Sequence, residues 1–193
     1  MAAMATLKRG LAERATILSS FIATLWILEI VDFILPGTPL DSWGIRPRQI
    51  GSLPFIFTAP FLHGGFAHLI ANTIPIAILG WLVMAKSSAD FWRVIGVTIV
   101  VAGLGTWALG APNTIHIGAS SIVFGFIGFL LSRGFFEKSF LWIAIALVVA
   151  VLYGGALFSL FSLTRGISWT GHAFGFVGGI IAARQHRRGR GWH

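Results

Sequence analysis

Gly118 to Gly128, GASSIVFGFIG, opens an apolar run that continues to Leu131 and stops at Arg133, and it carries a serine, Ser120, among the small residues Gly118, Ala119 and Ser121. Polar groups inside a lipid-spanning segment are costly and commonly mark function. A hydroxyl can instead bond back to a carbonyl one turn earlier, so Ser120 by itself is packing unless other segments bring it partners. The reading of the chain turns on whether they do.

The 193 residues are 56% hydrophobic and 10% charged, with a mean hydropathy of +0.86, which places the chain among polytopic membrane proteins. Its apolar runs are joined by short connections with no block long enough to fold separately, so residues 1–193 are expected to form one domain. With no cysteine, disulfides and thiolate chemistry are excluded. The net charge of +8 could suggest nucleic acid, but the basic residues sit at segment ends, as topology signals do. Nucleic acid is therefore not expected as a partner.

In order, a short polar arm of residues 1–15 with Lys8, Arg9 and Arg14 precedes a first span from Thr16 to Leu35. That span outruns a secretory signal and ends in Pro36-Gly37-Thr38-Pro39 without a small-x-small cleavage site. Glu29 and Asp32 form one polar face near its far end. Residues 36–62, proline-broken and aromatic-rich, read as a half-embedded loop. Five further helices follow over about His63–Met84, Phe91–Leu109, Gly118–Ser132, Phe140–Phe158 and Gly171–Arg184, ahead of a basic tail at residues 185–193. Eleven of the fourteen lysines and arginines fall at the termini or after helices two and four; Arg46, Arg48 and Arg165 fall on the other side. Both termini are thus expected in the cytoplasm, and helices two, four and six run inward.

Depth then brings three segments together. Measured up from the cytoplasmic end, Ser120 lies about 20 Å above Arg133, His172 about 18 Å above Arg184 and Asn72 about 21 Å above Lys86, at about 1.5 Å per residue. His68 shares a face with Asn72, one turn further out. Helices four and six look too short to cross alone, so their outer ends should be buried or open into a wet cavity. Ser121, Gly125 and Gly128 on one helix and His172, Gly175 and Gly179 on the other form small-residue stripes that would let the two backbones approach.

A serine becomes a nucleophile when an imidazole takes its proton, and the tetrahedral intermediate needs donors aimed at its oxyanion. His172 fits the base. His68, Asn72 and the backbone N–H of Ser120 at a helix N-terminus fit the donors. None of the six acidic residues sits beside His172 in a matching segment, which points to a Ser-His dyad without an orienting carboxylate.

From Ile17 to Ala183 the chain resembles the rhomboid intramembrane serine proteases. The resemblance is carried by His63-Gly-Gly-Phe-Ala-His68-Leu-Ile-Ala-Asn72, by Gly118-Ala119-Ser120-Ser121, and by His172-Ala-Phe-Gly175-Phe-Val-Gly-Gly179, in order on helices two, four and six. It implies a six-helix bundle with a membrane-embedded first loop in residues 36–62. It also implies hydrolysis of a peptide bond in or beside the transmembrane helix of a membrane-protein substrate, with Ser120 as nucleophile and His172 as general base. No metal or cofactor would be needed. His68 and Asn72 would be oxyanion-hole residues, helix five and the connection Ser159 to Thr170 a lateral gate and cap, and the active site would open to the outer face of the cell membrane. Three departures stand out: Ser121 replaces the family's usual glycine, Phe124 replaces a tyrosine beside the base, and Pro54-Phe55 replaces a Trp-Arg pair in the first loop.

Other residues read more plainly. His63 is expected to tie the first loop to helix two, His116 to be a solvated loop residue, and His186 and His193 to join Arg187, Arg188 and Arg190 in meeting anionic headgroups. Two rival readings remain: a rhomboid-like bundle that binds transmembrane segments without cutting them, and a small transporter or a metal or haem site built on His63, His68 and His172.

Overall fold

The computed structural model describes residues 2–35, 40–158 and 168–188. The Pro36 to Pro39 break, Arg165, most of the expected cap, Arg190 and His193 lie outside these. Among the described residues there are six α-helices: α1 (Ala2–Ile34), α2 (Phe66–Val83), α3 (Ser88–Leu109), α4 (Ser120–Glu137), α5 (Phe140–Leu157) and α6 (Trp169–Arg188). Five of them, α1 to α5, are long and apolar enough to cross a membrane. The sixth, α6, is rich in glycine and closes on a basic end. The molecule is an all-α membrane bundle.

The boundaries differ from expectation in ways that follow from local chemistry. Residues 2–15, expected as an arm ahead of the first span, continue helix α1, because Ala, Leu, Glu, Lys and Arg are strong helix formers and no proline interrupts them. Helix α4 begins at Ser120, two residues after Gly118, and runs past Arg133 to Glu137; Lys138 closes it in the left-handed conformation at φ 51°. Neither α4, with 18 residues, nor α6, with 20, is as short as the charge positions suggested.

Arg133 did not end α4 because it is paired. Its side chain is 1% exposed, its Nε donates to Glu137 at 2.8 Å, its Nη2 faces Asp90 of α3 at 3.4 Å, and its guanidinium lies 3.9 Å from the Trp142 ring centroid on α5. Desolvated arginine is tolerated when a carboxylate and an aromatic face receive it together.

Helix α4 occupies the centre: 67% of its apolar window is buried, against 11% for α5 and 33% for α2 and α3. It packs on α6, α5, α2 and α3. Ile122, Phe126, Ile127, Phe129 and Leu130 all point into one core with Leu69, Ile76, Leu79 and Phe91. Helix α5 keeps Leu141, Leu147, Val148, Val151 and Leu152 exposed, a composition suited to lipid.

Residues 40–62 fold as three short 3-10 helices, Leu40–Trp43, Ile50–Ile56 and Ala59–Phe61. A small core of Ile45, Ile56 and Ala59 holds them together. Ile56 sits directly over Gly103 of α3, where an added Cβ would stand 2.5 Å from it. The segment is anchored by Ser52, whose hydroxyl bonds the backbone of Arg46 and Gln49, and by Arg48, which donates to the carbonyls of Ala108 and Gly110 at the end of α3.

Candidate active site

Ser120 is the first residue of α4, and the two residues before it set its position. Gly118 has φ +114°, a conformation that L side chains rarely adopt. A Cβ there would also lie 2.6 Å from Cε1 and 2.8 Å from Nε2 of His68. The glycine thus lets the His68 ring rest against the entry to α4. Gly118 N–H donates to the Ala59 carbonyl at 2.9 Å, and Ala119 N–H donates to His63 Nε2 at 3.3 Å.

His63 is 2% exposed, and its ring meets that of His68 edge-on at 5.1 Å. Because its Nε2 accepts, a neutral His63 carries its proton on Nδ1. Burial, then the neighbouring His68, push His63 down to about 4. Beyond the expected tie between the first loop and helix two, His63 holds the approach to α4.

His172 lies in the first turn of α6, where its N–H donates to the Ser168 carbonyl at 3.0 Å. Backbone contact fixes the helix beside α4: Gly175 lies against the Ser121 carbonyl, Gly179 against the Gly125 carbonyl, and Gly128 against the Phe176 carbonyl. With no side chains between them, the axes approach closely enough for His172 Nε2 to stand 3.1 Å from Ser120 Oγ. Phe124, one turn below Ser120, stacks on the His172 ring with centroids 4.3 Å apart and planes at 16°. His172 is 9% exposed.

On α2, Asn72 follows His68 by one turn and is buried. Its Nδ2 has no hydrogen-bond partner among the described residues. An orphaned buried amide donor is expensive unless something arrives to accept from it. Ser120 also lines a cleft that encloses about 340 Å³ with its open mouth, walled by Gly103, Thr106, His116, Ser121, Ser168 and Gly171 among others.

His116 departs from the solvated loop residue expected of it. It is half-buried, which pushes its pKa down, and both ring nitrogens are engaged: Nδ1 is 2.7 Å from Ser168 Oγ and Nε2 is 2.8 Å from Thr114 Oγ1. Its backbone pairs in both directions with Ile45. Ser168 is 52 residues away in sequence, and no spacing rule connects the two.

A multi-pass helical bundle that holds a serine hydroxyl against a stacked imidazole at the buried N-terminus of its central helix defines a narrow class of membrane protein. The Rhomboid domain model matches residues 51–188, and the chain belongs to the rhomboid family. It is 39% identical over 176 residues to an uncharacterized protein of Mycobacterium tuberculosis, covering 87% of this chain and 73% of that one. It is 26% identical over 127 residues to the putative rhomboid protease YdcA of Bacillus subtilis, covering 65% and 63%. With the RHOMBOID-like protein 7 of Arabidopsis thaliana it shares 30% over 150 residues, or 72% and 44%.

Proposed function

We propose that this chain is an intramembrane serine protease that hydrolyses peptide bonds in or beside transmembrane segments of other membrane proteins. The observation that carries the reading is the 3.1 Å approach of His172 Nε2 to Ser120 Oγ. In this reading Ser120 Oγ attacks the scissile carbonyl carbon while its proton passes to His172 Nε2. The tetrahedral oxyanion takes hydrogen bonds from the Ser120 N–H, which has no intrahelical acceptor in the first turn of α4, and from His68 and Asn72. Asn72 Nδ2, without a partner among the described residues, supports that role. His172 then gives the proton to the leaving amine, and water, activated by the same imidazole, releases the acyl group.

Stacking on Phe124 supports the geometry of a base held without a carboxylate. The whole chain, residues 1–193, would act as one domain with both termini in the cytoplasm and the cleft opening outward. The competing reading is a bundle that binds transmembrane segments without cutting them; a serine paired with a histidine, together with a buried Asn72 donor left without a partner among the described residues, favours the enzyme.

The test is cleavage by the full chain reconstituted in vesicles, against a panel of single-pass reporters with cut sites read by mass spectrometry. Cleavage of at least one reporter that is lost in Ser120→Ala supports the reading. Binding of reporters with no cleavage would favour the competing one.

A further inference from the structure

A chain of four hydrogen bonds has His116 at its middle, two of them made by its ring, and their directions follow from the groups involved. The Thr114 hydroxyl donates to the Ala111 carbonyl at 2.6 Å, so its oxygen accepts from His116 Nε2–H at 2.8 Å. With the proton on Nε2, His116 Nδ1 accepts from the Ser168 hydroxyl at 2.7 Å. Ser168 Oγ in turn accepts from Gly171 N–H at 3.2 Å. One neutral tautomer satisfies every donor and acceptor in the chain.

The chain ends on the first turn of α6. Ser168 caps that turn twice, with its hydroxyl on Gly171 N–H and its carbonyl on His172 N–H. At the other end, His116 is fixed by its two backbone bonds to Ile45 at 2.9 and 3.0 Å, and two residues on, Gly118 N–H is bonded to Ala59. The same connection therefore holds the start of α4, with Ser120, and through one imidazole the start of α6, with His172.

We propose that His116 is a positioning residue, which sets the first turn of α6 against the start of α4 and so holds His172 on Ser120. This rests on the protease reading for its consequence in rate, though not for its consequence in geometry. A small displacement of the base is enough to slow proton transfer, since reacting groups tolerate misplacement of only a fraction of an ångström.

The experiment uses the full chain in bicelles with two readouts. The first is the ring-nitrogen NMR signals of His172, assigned against His172→Ala, which report its contact with Ser120 whether or not the protein is active. The second is the rate at which a fluorophosphonate labels Ser120. In His116→Ala the His172 signals should move and labelling should slow about tenfold or more. Ser168→Ala should do the same. His116→Asn, whose carboxamide oxygen stands where Nδ1 was and can accept from Ser168, should restore the signals and bring labelling to within about threefold of wild type. Unmoved His172 signals in both alanine variants, an Asn variant as impaired as Ala, or label found on Ser168 would overturn the proposal. A wild type that never labels would sink the protease reading, and the His172 signals would still decide the role of His116. If His116→Ala does not fold, Ser168→Ala breaks the same contact and is judged by the same outcomes.

Discussion

Phe124 and His172 lie ring on ring, 4.3 Å between centroids and 16° from parallel, and this stack limits the rotation of the imidazole that stands 3.1 Å from Ser120 Oγ. Aromatic pairs of this kind are worth about 0.5–1.5 kcal/mol beyond the area they bury. Phe124→Leu keeps most of the volume and removes the stack. It should slow labelling of Ser120 up to about tenfold while shifting stability by less than about 1.5 kcal/mol. Phe124→Tyr should stay near wild type. Equal labelling rates in the Leu variant and wild type would mean that the base is held by something else.

Gly179 presses on the Gly125 carbonyl, so a side chain there has no room that a rotamer change could make. Gly179→Val should cost at least about 2 kcal/mol, measured by denaturation in mixed micelles, and should abolish labelling. Gly96→Val in α3 is the control, since nothing lies within 4 Å of its added Cβ. If the two behave alike, close approach of α4 and α6 is not what seats His172.

Arg133 joins α3, α4 and α5 from a buried position, through Asp90, Glu137 and the Trp142 ring. Arg133→Ala removes the shared cation and should cost about 3–5 kcal/mol. Arg133→Lys should recover little of it, because an ammonium has neither the planar face nor the fork that these partners use. Wild-type stability in the lysine variant would reduce the cluster to a simple charge contact.

His63 makes stability depend on pH. Burial and His68 hold it at about 4, while the same imidazole in the unfolded chain titrates near about 6.5. Between these values the unfolded chain binds a proton that the folded one refuses, so stability should fall as pH drops from about 6.5 toward 4. His116, also pushed down by burial, adds to the slope with the same sign. His63→Gln, whose oxygen can still accept from Ala119 N–H, should flatten the dependence of melting temperature on pH without removing it. An unchanged slope would mean that His63 does not titrate in this window.

The meeting of Ser120 and His172 was legible in the sequence because it depends on helical depth and small-residue stripes, which the folded chain obeys, whereas the place of Phe124 beside the base was legible only through the resemblance to the rhomboid family. Ser120 and Phe124 are four residues apart on one helix, and Gly175 and Gly179 share a face with the first-turn His172. What escaped were contacts that no helical spacing or small-residue stripe aligns. Arg133 reads as a stop at the membrane surface until Asp90 and Trp142 are known to surround it. His116 reads as a loop residue until Ser168 arrives from the start of α6. Residues 2–15 differ for another reason: charge points to an exposed arm, and exposure says nothing against the helix that the stretch forms.

The most direct measurement is fluorophosphonate labelling of the purified full chain, with the modified residue located by mass spectrometry in wild type, Ser120→Ala, Ser121→Ala and His172→Ala. The account predicts one adduct, on Ser120, absent from Ser120→Ala and His172→Ala and present in Ser121→Ala. A folded wild type that takes no label, or an adduct on Ser121, would contradict it.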